Sequence, residues 1–155
     1  MPKLPWAEIE SVPPDTEITV MASRLPLRRY RHVPGFLAAT RRIRRQLARA
    51  EGLVGYALEA QLTRKTFWTV SAWTDLDRLY RFNRSDPHRA DAAAIRPRME
   101  PSSFVFWTAR AGDLPISWRE VRRRLAEQAE RAAPPEGDQP AERAGGATPA
   151  APAAS

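Results

Sequence analysis

The spacing of apolar residues changes in a fixed order between Thr16 and Arg131, and that order restricts the fold more than any other feature. TEITVMASR (Thr16–Arg24) alternates, with Ile18, Val20 and Ala22 on one side and Thr19, Met21 and Ser23 on the other, as a strand requires. After Pro34-Gly35, Phe36, Ala39, Thr40, Ile43, Leu47 and Ala50 recur at helical spacing, leaving Arg41, Arg42, Arg44, Arg45 and Arg49 on the outer arc. Leu53–Leu62 and Arg64–Trp73 read as two strands with a hairpin-short connection at Thr63-Arg64. Phe67, Thr69, Ser71 and Trp73 share one face of the second of these strands and Trp68, Val70 and Ala72 the other, so it is predicted to lie between two layers. Thr74-Asp75 caps a helix carrying Leu76, Leu79, Tyr80 and Phe82, which Pro87 interrupts before Ala90–Ile95. A fourth strand (Ser103–Ala109) and a helix (Ser117–Arg131) with Trp118, Val121, Leu125 and Ala129 facing inward complete the pattern.

The order β-α-β-β-α-β predicts an α+β, ferredoxin-like domain, a four-stranded antiparallel sheet with both crossover helices on one face. The other face then needs a cover, because Met21, Trp68 or Phe67, and Trp107 or Phe106 would form a large exposed apolar patch. A face-to-face homodimer is the expected solution. Residues 1–15, with Pro2, Pro5, Pro13 and Pro14, are predicted to run extended without a regular element, pinned by Trp6. Residues 132–155, rich in Ala and Pro, are predicted to be a disordered tail, which leaves one domain at 16–131.

Composition removes several function classes. There is no cysteine, so disulfides, thiolate metal sites and cysteine nucleophiles are excluded, in keeping with a reducing cytoplasm. No apolar run approaches the roughly 18 residues that span a bilayer, which predicts a soluble chain with no membrane partner. The two histidines, His32 and His88, form no zinc-binding pair, and no Gly-rich phosphate cradle is present. The net charge of +7 is mostly arginine, with eight arginines and no acid between Arg28 and Arg49. That face is a candidate for phosphate or nucleic acid, but it lacks aromatic stacking groups and reads first as a solvated surface.

FWTVSAWTDLDRLYRFNRSDPHR (Phe67–Arg89) resembles the strand, Trp, acidic cap, aromatic helix and Ser-x-x-His stretch of antibiotic biosynthesis monooxygenase-like domains. Ser85-Asp86-Pro87-His88-Arg89 is its most specific part, and the resemblance extends weakly over Thr16–Trp107. It implies a dimeric α/β barrel and an oxidoreductase of secondary metabolism. The haem-degrading branch uses an Asn, a Trp and a His at places occupied here by Ser23, Phe82 and Ala92. His88 lies one helical turn before Ala92, so the resemblance leaves haem, held by His88, open beside cofactor-free action. Cofactor-free members generate an electron-rich anion in an apolar pocket and pass an electron to dioxygen. The residues the resemblance implies for this are His88 as acid or base, Arg24 for an enolate or carboxylate, and Phe67, Trp68, Trp73, Phe82, Phe106 and Trp107 as pocket walls. The expected activity is thus that of a monooxygenase-like tailoring enzyme acting on a small aromatic or polyene metabolite, in a pocket between the sheet and the second helix. The alternatives are a non-catalytic protein binding haem or another hydrophobic ligand and, less favoured, phosphate or nucleic-acid binding through the Arg28–Arg49 face.

Overall fold

Alternating and helical stretches become regular elements in the computed structural model of the chain, which describes residues 3–132. In chain order these are β1 (Lys3–Glu8), β2 (Glu17–Pro26), α1 (Val33–Leu47), β3 (Leu53–Gln61), β4 (Thr66–Trp73), α2 (Leu76–Arg84), α3 (His88–Ile95), β5 (Ser103–Arg110) and α4 (Trp118–Ala132). The strands form one sheet in the order β1-β3-β4-β2-β5, every neighbouring pair antiparallel. Without β1 this is the expected ferredoxin-like arrangement, with β2 and β4 central because their two faces are both apolar.

Register determines which side chains share a face. Met21 stands opposite Ser71 on β4 and Phe106 on β5, while Ala22 stands opposite Val70 and Val105. Odd positions of β2 therefore join Phe67, Thr69, Ser71 and Trp73 under α1, α2 and α3, and even positions join Trp68, Val70 and Ala72 on the reverse face. Asp75 accepts a hydrogen bond from the Arg78 amide and starts α2, as its position after Thr74 predicts.

Two features depart from the sequence expectations. The proline-rich start contains a strand: β1 pairs with the edge strand β3, and its register shifts between Leu4 and Ala7, around Pro5. An edge strand accommodates a residue without an amide proton at such an irregularity. Trp6 does pin it, lying on Gly55 where a Cβ would fall 2.5 Å from the ring. Secondly, the reverse face of the sheet is covered by the chain's own α4. Val121 and Leu125 pack on Ile18, Val20, Ala22, Val70 and Ala72, and the Arg122 and Arg124 guanidinium groups stand 5.1 and 4.5 Å from the Trp68 and Trp107 rings. Beneath them Glu59, only 4% exposed, pairs with Arg122 at 2.6 Å and Lys3 at 3.5 Å. The expected disordered tail lies, Ala132 apart, outside the described residues. Among those residues no helix is long and apolar enough to cross a membrane.

Candidate functional site

A cavity of about 590 Å³ lies between the helix-covered face of the sheet and α1. Ala39, Thr40 and Ile43 roof it, Tyr56 with Met21, Ser23, Thr69, Ser71 and Trp73 floors it, and Phe82, His88 and Ala92 close one end. Phe104 and Phe106, each 47% exposed, line its open side along β5. The floor has few free polar atoms. Trp73 Nε1 donates to Ser71 Oγ at 2.9 Å, and the hydroxyls of Ser23 and Thr69 bond to each other. Tyr56, itself buried, lines the floor, and its hydroxyl has no hydrogen-bond partner among the described residues.

His88 is positioned by three contacts. Its amide donates to Gln46 Oε1 at 2.9 Å, its ring lies 5.1 Å from that of Phe82, and Nδ1 is 3.3 Å from the Asn83 carbonyl oxygen. A carbonyl only accepts, so Nδ1 is assigned the proton and Nε2 is the free acceptor. Burial pushes the imidazole below the ordinary histidine range, opposed in part by the Asn83 carbonyl and the charge of Asp91. That direction favours the neutral ring, the form that can take up a proton.

Of the residues expected at a site, His88, Trp73, Phe82 and Phe106 meet at this cavity. Phe67 is on the same sheet face but stacks on Phe36 at 4.1 Å and does not line it. Arg24, Trp68 and Trp107 are on the reverse face, with the Arg24 guanidinium 5.8 Å from the Trp68 ring. Side chains of one strand alternate, so residues with the parity of Ala22 cannot wall a cavity built on the parity of Met21. The roof is α1, with the α2–α3 pair as end wall, rather than the second helix alone. Ser23, Phe82 and Ala92, the positions compared with the haem-degrading branch, all line the cavity. Tyr56 and Phe104 line it too and are not among the expected residues; the period-two pattern of Leu53–Leu62 marks Tyr56 as facing inward but not onto which layer.

A second, more open groove of about 620 Å³ runs outside α1 and α2 and is lined by Arg42, Arg45, Arg49, Arg78 and Arg81. Its aromatic lining is Phe82 alone and no histidine lines it, so His88, Trp73 and Phe106 are met at the inner cavity. Among the described residues no group of three or more His, Asp or Glu side chains is placed to hold a metal ion.

No family model matches the sequence, and no curated relative matches it. Solved structures do. A candidate antibiotic biosynthesis monooxygenase from Nitrosomonas europaea is 15% identical with a TM-score of 0.55, covering 64% of this chain and 94% of its own. The cofactor-independent oxygenase SnoaB from Streptomyces nogalater is 22% identical with a TM-score of 0.51, covering 64% and 99%. A further candidate antibiotic biosynthesis monooxygenase, from Deinococcus radiodurans, is 12% identical with a TM-score of 0.52, covering 59% and 91%. At these identities the likeness is one of architecture: the chain has the ferredoxin-like fold of the antibiotic biosynthesis monooxygenase-like proteins.

Proposed function

We propose that the protein is a monooxygenase-like tailoring enzyme that oxidises a small aromatic or polyene molecule inside the α1-roofed cavity. The observation that carries this reading is a half-buried His88, its Nδ1 against the Asn83 carbonyl, on the wall of a largely apolar, aromatic-lined space. Nε2 takes a proton from a phenolic or benzylic position of the substrate, and the dry walls leave the resulting anion poorly solvated and electron-rich. Dioxygen accepts the electrons: a substrate CH₂ becomes a carbonyl, one oxygen atom entering the product and the other leaving as water with the two hydrogens. The Tyr56 hydroxyl is the available hydrogen-bond donor to the oxygen that becomes anionic. The residues present also fit haem, because an imidazole whose Nδ1 is fixed by a carbonyl has its Nε2 left to bind a metal ion. His88 would then hold the iron, and haem would supply dioxygen binding.

Oxygen uptake with an electron-rich anthrone, followed for the wild type and for His88→Gln with and without haemin, tests the reading. Loss of a general base lowers the rate by about 10²–10⁴-fold. Undiminished turnover in His88→Gln would remove the assigned role. Saturable haemin binding that is lost in the variant would instead identify the haem-dependent form. The alternative of a non-catalytic binder is favoured by the mutual pairing of Ser23 with Thr69 and Trp73 with Ser71, which leaves few groups free for chemistry. Retention of anthrone without oxygen uptake is its signature.

A further inference from the structure

The mouth of the cavity is charged in a way that the interior is not. Arg28, Arg44 and Arg96 line it, and none takes part in the ion pairs formed among the described residues. Some other arginines are paired, Arg42 by Asp91, Arg78 by Glu51 and Asp75, and Arg122 by Glu59, whereas these three share a cavity rim with apolar walls. Arg44 reaches the mouth from α1, and Arg28 is set beside the Arg96–Arg98 segment by backbone bonds. Arg28 N donates to Arg98 O at 2.9 Å, Glu100 N donates to Pro26 O at 2.9 Å, and Leu27 bridges Met99. These bonds fasten the segment after β2 to the one before β5, so that Arg28, Arg29, Arg96 and Arg98 crowd one end. Nearby His32 registers the result: partial burial and the charges of Arg31, Arg98 and Arg29 push its imidazole below the ordinary range. Glu100 is the acid among the residues lining this mouth, and it too forms no ion pair there.

Apolar walls select against an ion, and unpaired guanidinium groups confer nothing on a neutral hydrocarbon. The two together select a molecule that is both. Building on the cavity reading above, we infer that the ligand is a planar apolar acid, its ring body between α1 and the sheet and its oxyanion group at the mouth with Arg28, Arg44 and Arg96. Guanidinium suits this role because its fork of N–H donors matches a planar oxyanion and stays charged at any working pH. The ring end then reaches toward Trp73, Phe82 and His88, and the acid end orients it.

Two fluorescent probes with one ring system separate these contributions: 1-anilinonaphthalene-8-sulfonate and its uncharged counterpart N-phenyl-1-naphthylamine. With the full-length protein at low salt, the sulfonate is expected to bind about five- to tenfold more tightly, a preference reduced by salt because the arginines are exposed. The triple variant Arg28→Gln, Arg44→Gln, Arg96→Gln is expected to lose that preference while keeping its affinity for the neutral probe. Arg45→Gln with Arg49→Gln, in the outer groove, is expected to leave it intact. Equal affinity for both probes in the wild type, or an unchanged preference in the triple variant, overturns the inference and leaves the cavity reading standing. Failure of both probes to bind, or affinities insensitive to filling the roof with Thr40→Trp, overturns the cavity reading and the inference with it.

Discussion

His88 sits where burial, a carbonyl and a carboxylate act on one imidazole, and burial prevails. In the unfolded chain its pKa returns to about 6.5. Between that value and the lower folded one, the unfolded chain binds more protons. The stabilisation present above about pH 6.5 is therefore lost as pH falls through the window between the two values. Urea midpoints at pH 7.5 and 5.5 are expected to differ more for the wild type than for His88→Gln, which carries no titrating ring. In the proposed oxygenation the same direction keeps the proton-accepting form below the pH at which an ordinary histidine would lose it. A different residue-scale constraint lies at Gly52, whose φ of +83° is left-handed and whose Cβ would fall 2.2 Å from Arg78 Cδ and 2.8 Å from Thr74 Oγ1. Gly52→Ala strains the backbone and displaces a side chain already paired with Glu51 and Asp75, at a cost of about 1–3 kcal/mol. Thermal unfolding of the variant reads this directly.

At the scale of elements, strand pairing and aromatic packing separate what the residues reveal on their own from what only their partners decide. The change of period locates β2, α1, β3, β4, the α2–α3 pair with its break at Pro87, β5 and α4, because each buries a face whose spacing is visible in the residues themselves. Alternation within β4 likewise separates Phe67 and Trp73 from Trp68. What no single strand contains is its register. Whether Phe106 or Trp107 reaches the cavity depends on the pairing of Met21 with Phe106, a contact between segments far apart along the chain. The placement of Arg24 follows from the same pairing, and that of Tyr56 under α1 from the pairing of β3 with β4. β1 is hidden because Pro5 argues against a strand, whereas the strand is held by an interaction at distance, Trp6 on Gly55. Gly55→Ala pushes a methyl group into the indole and is expected to cost about 1–3 kcal/mol. Amide exchange should then quicken along β1 and its β3 partners while β2 and β5 keep their protection, and unchanged exchange in β1 would mean that Trp6 does not hold it.

For the molecule as a whole, the sheet divides two tasks: the cavity occupies one face and α4 seals the other. An uncovered ferredoxin-like sheet exposes its reverse face, and packing two copies face to face is the cover that the residues predict. Here Val121, fully buried, and Leu125, 3% exposed, supply it from within the chain, tied by the Arg122–Glu59 pair. Introducing charge at both positions, Val121→Asp with Leu125→Asp, places two carboxylates against Val20, Val70 and Ala72, where their desolvation outweighs the contacts of the remaining helix. α4 is expected to lift, and the freed patch, with Trp68 and Trp107, is then large enough to drive self-association. Sedimentation velocity over a concentration series should show the variant becoming heavier with concentration to a degree that the wild type does not. The cavity walls belong to the opposite face, so the variant should still bind the naphthylamine probe with wild-type affinity as long as the sheet survives. Loss of probe binding together with unfolding would show that α4 supports the whole sheet. Unchanged sedimentation with intact binding would show that the reverse face does not depend on these two side chains for its cover.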